Sequence, residues 1–318
     1  MRELDAVSTR VAFGETLEKM AGEDESIVVV SADTARSMGL KGMEKKYPER
    51  VLNVGIAEQN MMTMAAGLAA DGFKAVATTY APFTCMRALE EARTFIAYPN
   101  LNVTVVGGMS GITGSIEGVT HQGQEDINIM CAIPNFVVAV AADACATREM
   151  VRVLMAHEGP VYLALGRSQA HKVFDSYHFQ IGKGLLMRDG RDLTIITYGS
   201  MLWRCQEAAQ ELACRGIDVR LIEMPCIKPL DRDMVLAAAR ETGAILTVED
   251  RNVNGGMGSY VCQAVCAQAP VPVACMGLPD TFAQSGLEDE LYEYCHLGTA
   301  DVVAAAEALW RQKGGKQA

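Results

Sequence analysis

Five uninterrupted apolar runs mark the first half of the chain: IVVVSAD at 27–33, KAVATTY at 74–80, NVTVVGG at 102–108, FVVAVAA at 136–142 and VYLALG at 161–166. They are rich in β-branched residues and do not alternate apolar with polar positions. Each reads as a strand buried on both faces, the condition of a parallel sheet covered by helices. Helical patterns lie around and between them, over about 10–20, 57–70, 84–97 and 144–156, the last closed by Gly159-Pro160. A polar, pattern-free stretch at 168–190 precedes a second series: LTIITYG, a helix near 202–215, DVRLIEM, a helix near 231–241, AILTVED, a helix after GGMGS, and a strand near PVACMGL. The pattern predicts an α/β protein of two doubly wound, mainly parallel-sheet domains, at 1–168 and 191–318, joined by a linker at 169–190. The two halves do not read as sequence repeats.

Half of the 318 residues are hydrophobic, enough for a sizeable core. A formal charge of -11 argues against a nucleic-acid or anionic-membrane surface, which would call for clustered Lys and Arg. The N-terminal residues intersperse charges with apolar positions, unlike a signal peptide, and no span of about 18 uncharged apolar residues occurs. A cytoplasmic protein is expected. The ten cysteines, among them Cys85, Cys131, Cys145, Cys214 and Cys275, are scattered without a CxxC pair and read as reduced core residues, with no metal site.

Two segments carry candidate chemistry. In GIAEQNMMTMAAGLAADG (55–72), Glu58 is a lone carboxylate at the start of a very apolar helix, either a group facing the helix dipole or a buried functional acid. The glycine-rich loop GGMSGITGSIEGVTHQGQED (107–126) follows a strand, where open α/β sheets bind ligands, and contains His121. His157, His171, His178 and His296 form no metal-ligand spacing. GGMGS (255–259) lacks a GxGxxG or Walker pattern and reads as a plain strand-to-helix turn. No GxSxG elbow is present, which disfavours a nucleophilic hydrolase.

GIAEQN, TTYAPFTCMRALEEAR, GVTHQGQED, YGSMLWRCQEA and VEDRNVNGGMGS, in this order over nearly the whole chain, resemble the C-terminal half of transketolase and its thiamine-diphosphate relatives. The resemblance implies a pyrimidine-binding domain followed by a transketolase C-terminal domain. Full-length relatives begin with a diphosphate-binding domain carrying GDG and a downstream Asn. No GDG occurs here, so the chain resembles a split subunit, expected to self-dimerise and form a heterotetramer with an N-terminal transketolase subunit that holds the Mg²⁺ and diphosphate.

The resemblance also assigns roles. Glu58 matches the acid that hydrogen-bonds the cofactor's aminopyrimidine. Phe83, with Tyr80 and Met86, provides its aromatic face, and Asp33 lies near it. Arg10, Ser37 and Arg167 match substrate-phosphate positions, and His121 matches a substrate-hydroxyl histidine. Two positions depart from the family pattern. SIEGVTHQ stands where relatives read GEDGxTHQ, aligning Glu117 with a sugar-contacting Asp, and Met109 replaces a phosphate-binding His, a donor that Met lacks. The expected activity is transfer of a two-carbon ketol unit from a ketose or ketose phosphate to an aldose phosphate. The alternatives are a 1-deoxyxylulose-5-phosphate synthase-like or 2-oxo acid dehydrogenase-like subunit, a non-catalytic stabilising subunit, or an unrelated doubly wound binding protein.

Overall fold

The computed structural model describes residues 3–314. The apolar runs form β1 (Ile27–Ser31), β3 (Lys74–Tyr80), β4 (Val103–Gly108), β5 (Val137–Val140) and β6 (Val161–Ala164), joined by a short β2 (Val51–Asn53). All six are parallel, in spatial order β5-β6-β4-β3-β1-β2. The second sheet comprises β7 (Leu185–Arg188), β8 (Leu193–Thr197), β9 (Val219–Glu223), β11 (Ile245–Asn252) and β12 (Val273–Leu278), in order β12-β11-β8-β9-β7. It is parallel except for β7, which runs antiparallel to β9. Two mainly parallel sheets with helices are thus present, as the unbroken apolar runs implied. Along β1, Ile27 and Val29 enter one hydrophobic cluster and Val28 and Val30 the other, the period of two expected of a strand covered on both faces.

Several features differ from the sequence expectations. The segment read as a linker contains β7, whose partly exposed residues give no apolar run because it is an edge strand. β10 (Cys226–Lys228), within the second series, crosses to the first sheet and pairs antiparallel with β5. The predicted helix over 84–97 is broken into wide turns at Phe83–Arg87 and Ala92–Ala97, where the Ala88 and Tyr98 amides reach back five residues to Phe83 and Arg93. Cys214 and Cys275 are exposed rather than interior, although all ten cysteines are free. Among the described residues no helix is long and apolar enough to cross a membrane.

Local chemistry fixes the elements that carry the site. The helix Thr9–Glu23 starts under the Ser8 cap and packs so closely on the 34–40 turn that a Cβ on Gly14 would lie 2.0 Å from the Gly39 carbonyl oxygen. That approach seats Arg10 beside the carboxyl end of the sheet. Asp143 caps the helix Ala144–Met155 and also accepts the Val173 and Phe174 amides, tying the chain between the sheets to the first of them. Burial raises the Asp143 pKa, and these amide donors oppose the rise.

Candidate active site

The carboxyl ends of β6, β4, β3, β1 and β2 stand side by side, and the loops leaving them bear the candidate residues: Arg167, His121 with Glu117, Tyr80 with Phe83, Asp33, and Glu58. Strand order, which is not a local property of the sequence, therefore gathers residues spread over 110 positions or more. Three non-glycine residues in this region have left-handed backbone: Asp33 (φ 58°), Met109 (φ 58°) and Ser115 (φ 54°). Such conformations are uncommon outside glycine and cluster where surrounding structure imposes them, active sites included.

Glu58 opens the helix Glu58–Ala70 and is 3 % exposed. It is not the isolated acid that the sequence suggested. Arg87 Nη1 donates to its Oε1 at 2.7 Å, and the Arg87 guanidinium also lies 4.3 Å from the centroid of the Phe83 ring. A buried carboxylate is tolerated there because a cation meets it at the surface. The described residues give Oε2 no donor, and the carboxylate lines an open depression of about 410 Å³ with Ile56, Ala57, Gln59, Asn60 and Arg87. Sequence reasoning missed Arg87; its signal was the Phe83–Arg87 spacing on one turn.

Phe83, Tyr80 and His121 meet pairwise, with ring centroids 5.3 to 5.9 Å apart. Thr120 Oγ1 lies 2.8 Å from His121 Nδ1. Met86, expected beside the rings, is 46 % exposed, and the third ring of the cluster is His121. Tyr80 hydroxyl donates to Ser37 Oγ at 3.0 Å, and Ser37 donates to the Thr34 carbonyl. Asp33 exchanges hydrogen bonds with Asn53 at the end of β2, and Asn53 also accepts the Gly55 amide, which ties the β1 loop to the segment leading into Glu58.

The polar end of the site is cationic. Arg10 Nη2 donates to the Arg167 carbonyl at 2.8 Å, while Arg167 Nη2 pairs with Glu117 Oε1 at 3.1 Å. Burial lowers the Arg10 pKa, Tyr80 opposes it and the neighbouring Arg167 adds to it; a guanidinium stays charged regardless. Met109, at the position where a donor was expected, is buried at 4 % exposure.

The loop that carries Glu117 and His121 is clamped by the second domain. Gln122 Nε2 donates to the carbonyls of Ser115 (3.3 Å) and Gln284 (2.9 Å), and Ser115 Oγ donates to the Gly286 carbonyl. Beneath it is a buried network that composition could not reveal. Arg251, 2 % exposed, donates through Nε to Asp126 at 2.9 Å and also pairs with Asp250 and Ser110, while Tyr162 donates to Asp126. GGMGS is the plain turn the sequence indicated: the amides of Met257 and Gly258 at the following helix start donate to the Glu249 carboxylate, occupying the place an anion would take.

The transketolase pyrimidine binding domain model matches residues 5–172, and the transketolase C-terminal domain model matches residues 182–302. The chain is 35 % identical over 305 residues to a 6-deoxy-6-sulfo-D-fructose transketolase subunit of Clostridium sp. (strain MSTE9), covering 96 % of this chain and 95 % of that one. It is also 35 % identical over 314 residues to 1-deoxy-D-xylulose-5-phosphate synthase 1 of Geobacter sulfurreducens, covering 97 % of this chain but 49 % of that protein. Among solved structures, a split gene transketolase described as an inactive beta4 tetramer superposes with a TM-score of 0.88 at 38 % identity, covering 97 % of this chain and 100 % of that one. The fold, the row of loops at the strand ends and these matches over nearly the full length lead to one assignment: the chain belongs to the transketolase family.

Proposed function

We propose that this chain is the C-terminal subunit of a split transketolase, which moves a two-carbon ketol unit from a ketose donor to an aldose acceptor with an anionic end. The observation that carries the reading is the juxtaposition of a buried carboxylate, Glu58, with the ring pair Phe83 and Tyr80 at one edge of the sheet. Phe83 would offer an aromatic face, and Glu58 a carboxylate oxygen, to a heteroaromatic ring bound there. That fits the aminopyrimidine of thiamine diphosphate, the family's cofactor, which supplies carbanion stabilisation when bound. Glu58 would hold a proton at the pyrimidine ring nitrogen, and the shared Arg87 would fix the carboxylate's orientation. His121 would hydrogen-bond a substrate hydroxyl; Arg10, Ser37 and Arg167 would take the anionic end, with forked guanidinium donors suited to oxyanions. Asp33 and Met86 flank this arrangement as cofactor-side residues of the same reading.

The diphosphate and its Mg²⁺ would be held by an N-terminal partner subunit. Support comes from a relative of matching length that is itself called a transketolase subunit. The helix Glu58–Ala70 exposes Asn60, Thr63, Met64 and Gly67, an uncharged face suited to self-association, and the similar solved chain is a tetramer of its own kind. A self-dimer within a heterotetramer, in the cytoplasm, is the assembly we infer. A 2-oxo acid-utilising relative of the 1-deoxyxylulose-5-phosphate synthase kind is the second reading, favoured by the equal identity to such an enzyme over half its length.

The test is Glu58→Gln in the complex reconstituted with a candidate partner, offered ketose and pyruvate as alternative donors. Gln preserves size but cannot take up the proton, so transfer should fall by about 10² to 10⁴. Retained transfer would remove Glu58 from the chemistry, and turnover with pyruvate but not ketose would favour the second reading.

A further inference from the structure

At the polar end of the site, two cations and one anion are held together. Arg167 pairs with Glu117 at 3.1 Å, and Arg10 makes no ion pair among the described residues. The buried Arg10 Nε has no hydrogen-bond partner, which leaves an unused donor at this end. The neighbouring donors, Ser37 and Tyr80, are neutral hydroxyls. The three charged groups therefore sum to a single positive charge.

The Glu117 backbone is fixed in place. Its neighbour Gly118 has φ 75° and donates its amide to the Ser115 carbonyl, and a Cβ on Gly118 would lie 2.5 Å from Ser285 Oγ. Ser115, also in left-handed backbone, is bound through Oγ to the Gly286 carbonyl at 2.8 Å. An arriving anion can displace the Glu117 side chain from Arg167 but cannot move its backbone away, so the carboxylate stays within reach of whatever binds.

We propose that Glu117 sets the charge preference of this subsite by narrowing the advantage that a doubly charged phosphate holds over a substrate end bearing one negative charge. The inference rests on the ketol-transfer reading for the word substrate, but the charge selection itself belongs to the chain alone. Coulomb energy scales with the product of charges, so the Glu117 carboxylate repels a dianion twice as strongly as a monoanion, just as the two arginines attract it twice as strongly. With Glu117 opposed to Arg167, the net attraction falls from two positive charges to one, and a phosphate dianion loses twice as much of it as a singly charged oxyanion such as a sulfonate.

The test uses the purified full chain with ethanesulfonate and methyl phosphate as probes, by calorimetric or NMR titration at low salt and about pH 8, where a phosphate monoester is doubly charged. Glu117→Gln, which keeps the size and an acceptor for Arg167, should tighten ethanesulfonate about fivefold and methyl phosphate by about the square of that factor, shifting the ratio of the two affinities about fivefold toward methyl phosphate. Arg167→Ala should weaken both. Equal tightening of the two probes by Glu117→Gln, or an absence of Arg167-dependent binding, would each overturn the proposal. Ketol transfer by the reconstituted complex is measured separately. Its absence alongside intact charge selection would remove the transketolase reading and leave the role of Glu117 standing.

Discussion

Replacing Arg251 by Met removes a cation that joins the two domains at their buried boundary. In the wild type its three donors go to Asp126, Asp250 and Ser110, and Asp126 and Asp250 are 0 % and 1 % exposed. Without the guanidinium, Asp126 keeps Tyr162, Ser110 and the Ile127 amide, and Asp250 keeps Ser200 and Tyr292. Both carboxylates therefore retain hydrogen bonds but lose their counter-charge. Breaking a buried pair by removing one partner costs about 3 to 5 kcal/mol, which corresponds to a fall in Tm of roughly 6 to 20 °C at about 2 to 4 °C per kcal/mol. Ser110 lies in the loop after β4 and Asp126 opens the helix Asp126–Ala132, both in the first domain, whereas Asp250 and Arg251 lie on β11, so the loss should also uncouple the domains. Differential scanning calorimetry of Arg251→Met should show a lower and broader, or split, transition. Arg251→Lys keeps the charge but not the fork, and should recover less than half of the loss. A destabilisation below about 1 kcal/mol with a single sharp transition would refute the reasoning and show the network to be replaceable by packing alone.

Burial raises the Glu223 pKa to about 8, against the opposing hydrogen bond from the Tyr177 hydroxyl at 3.0 Å. A carboxyl raised in the folded state contributes stability that is present below its ordinary value of 4.5 and lost as pH climbs through about 8. Wild type should therefore lose about 2 to 4 kcal/mol relative to Glu223→Gln between pH 5 and pH 9 by denaturant titration; parallel pH curves for the two proteins would contradict this. Arg167→Ala in the reconstituted complex should raise KM for anionic acceptors roughly 10- to 100-fold while barely affecting uncharged analogues, as expected for a charged hydrogen bond; equal losses with both would exclude Arg167 from end-group recognition. Arg87→Leu should destabilise wild type more than it destabilises a Glu58→Gln background, by about 1 kcal/mol given the half-exposed cation; additive effects in that double-mutant cycle would mean the pair contributes no coupling.

The sequence by itself determined the fold class. Strand burial is written locally, in apolar runs such as IVVVS and VTVVGG, and so are helix starts such as the one at Glu58. Short edge strands were not legible. β2, β7 and β10 span three or four residues each and carry no pattern long enough to register, and β10 pairs with a strand some 90 positions earlier. The candidate residues were named from motifs, but their convergence is decided by the spatial order of β6, β4, β3, β1 and β2, which places one loop beside the next irrespective of distance along the chain. The same holds for charge. Glu58 looked isolated because its partner Arg87 lies 29 residues away, and Glu117 looked like a substitution one methylene too long until Arg167, 50 residues on, was found against it. Arg251 gave no signal at all, since a buried arginine and an exposed one are the same letter. Backbone preferences and hydrophobic periodicity act over a few residues and survive in the sequence; counter-charges and hydrogen-bond partners are chosen across space, and the tertiary structure alone decides them.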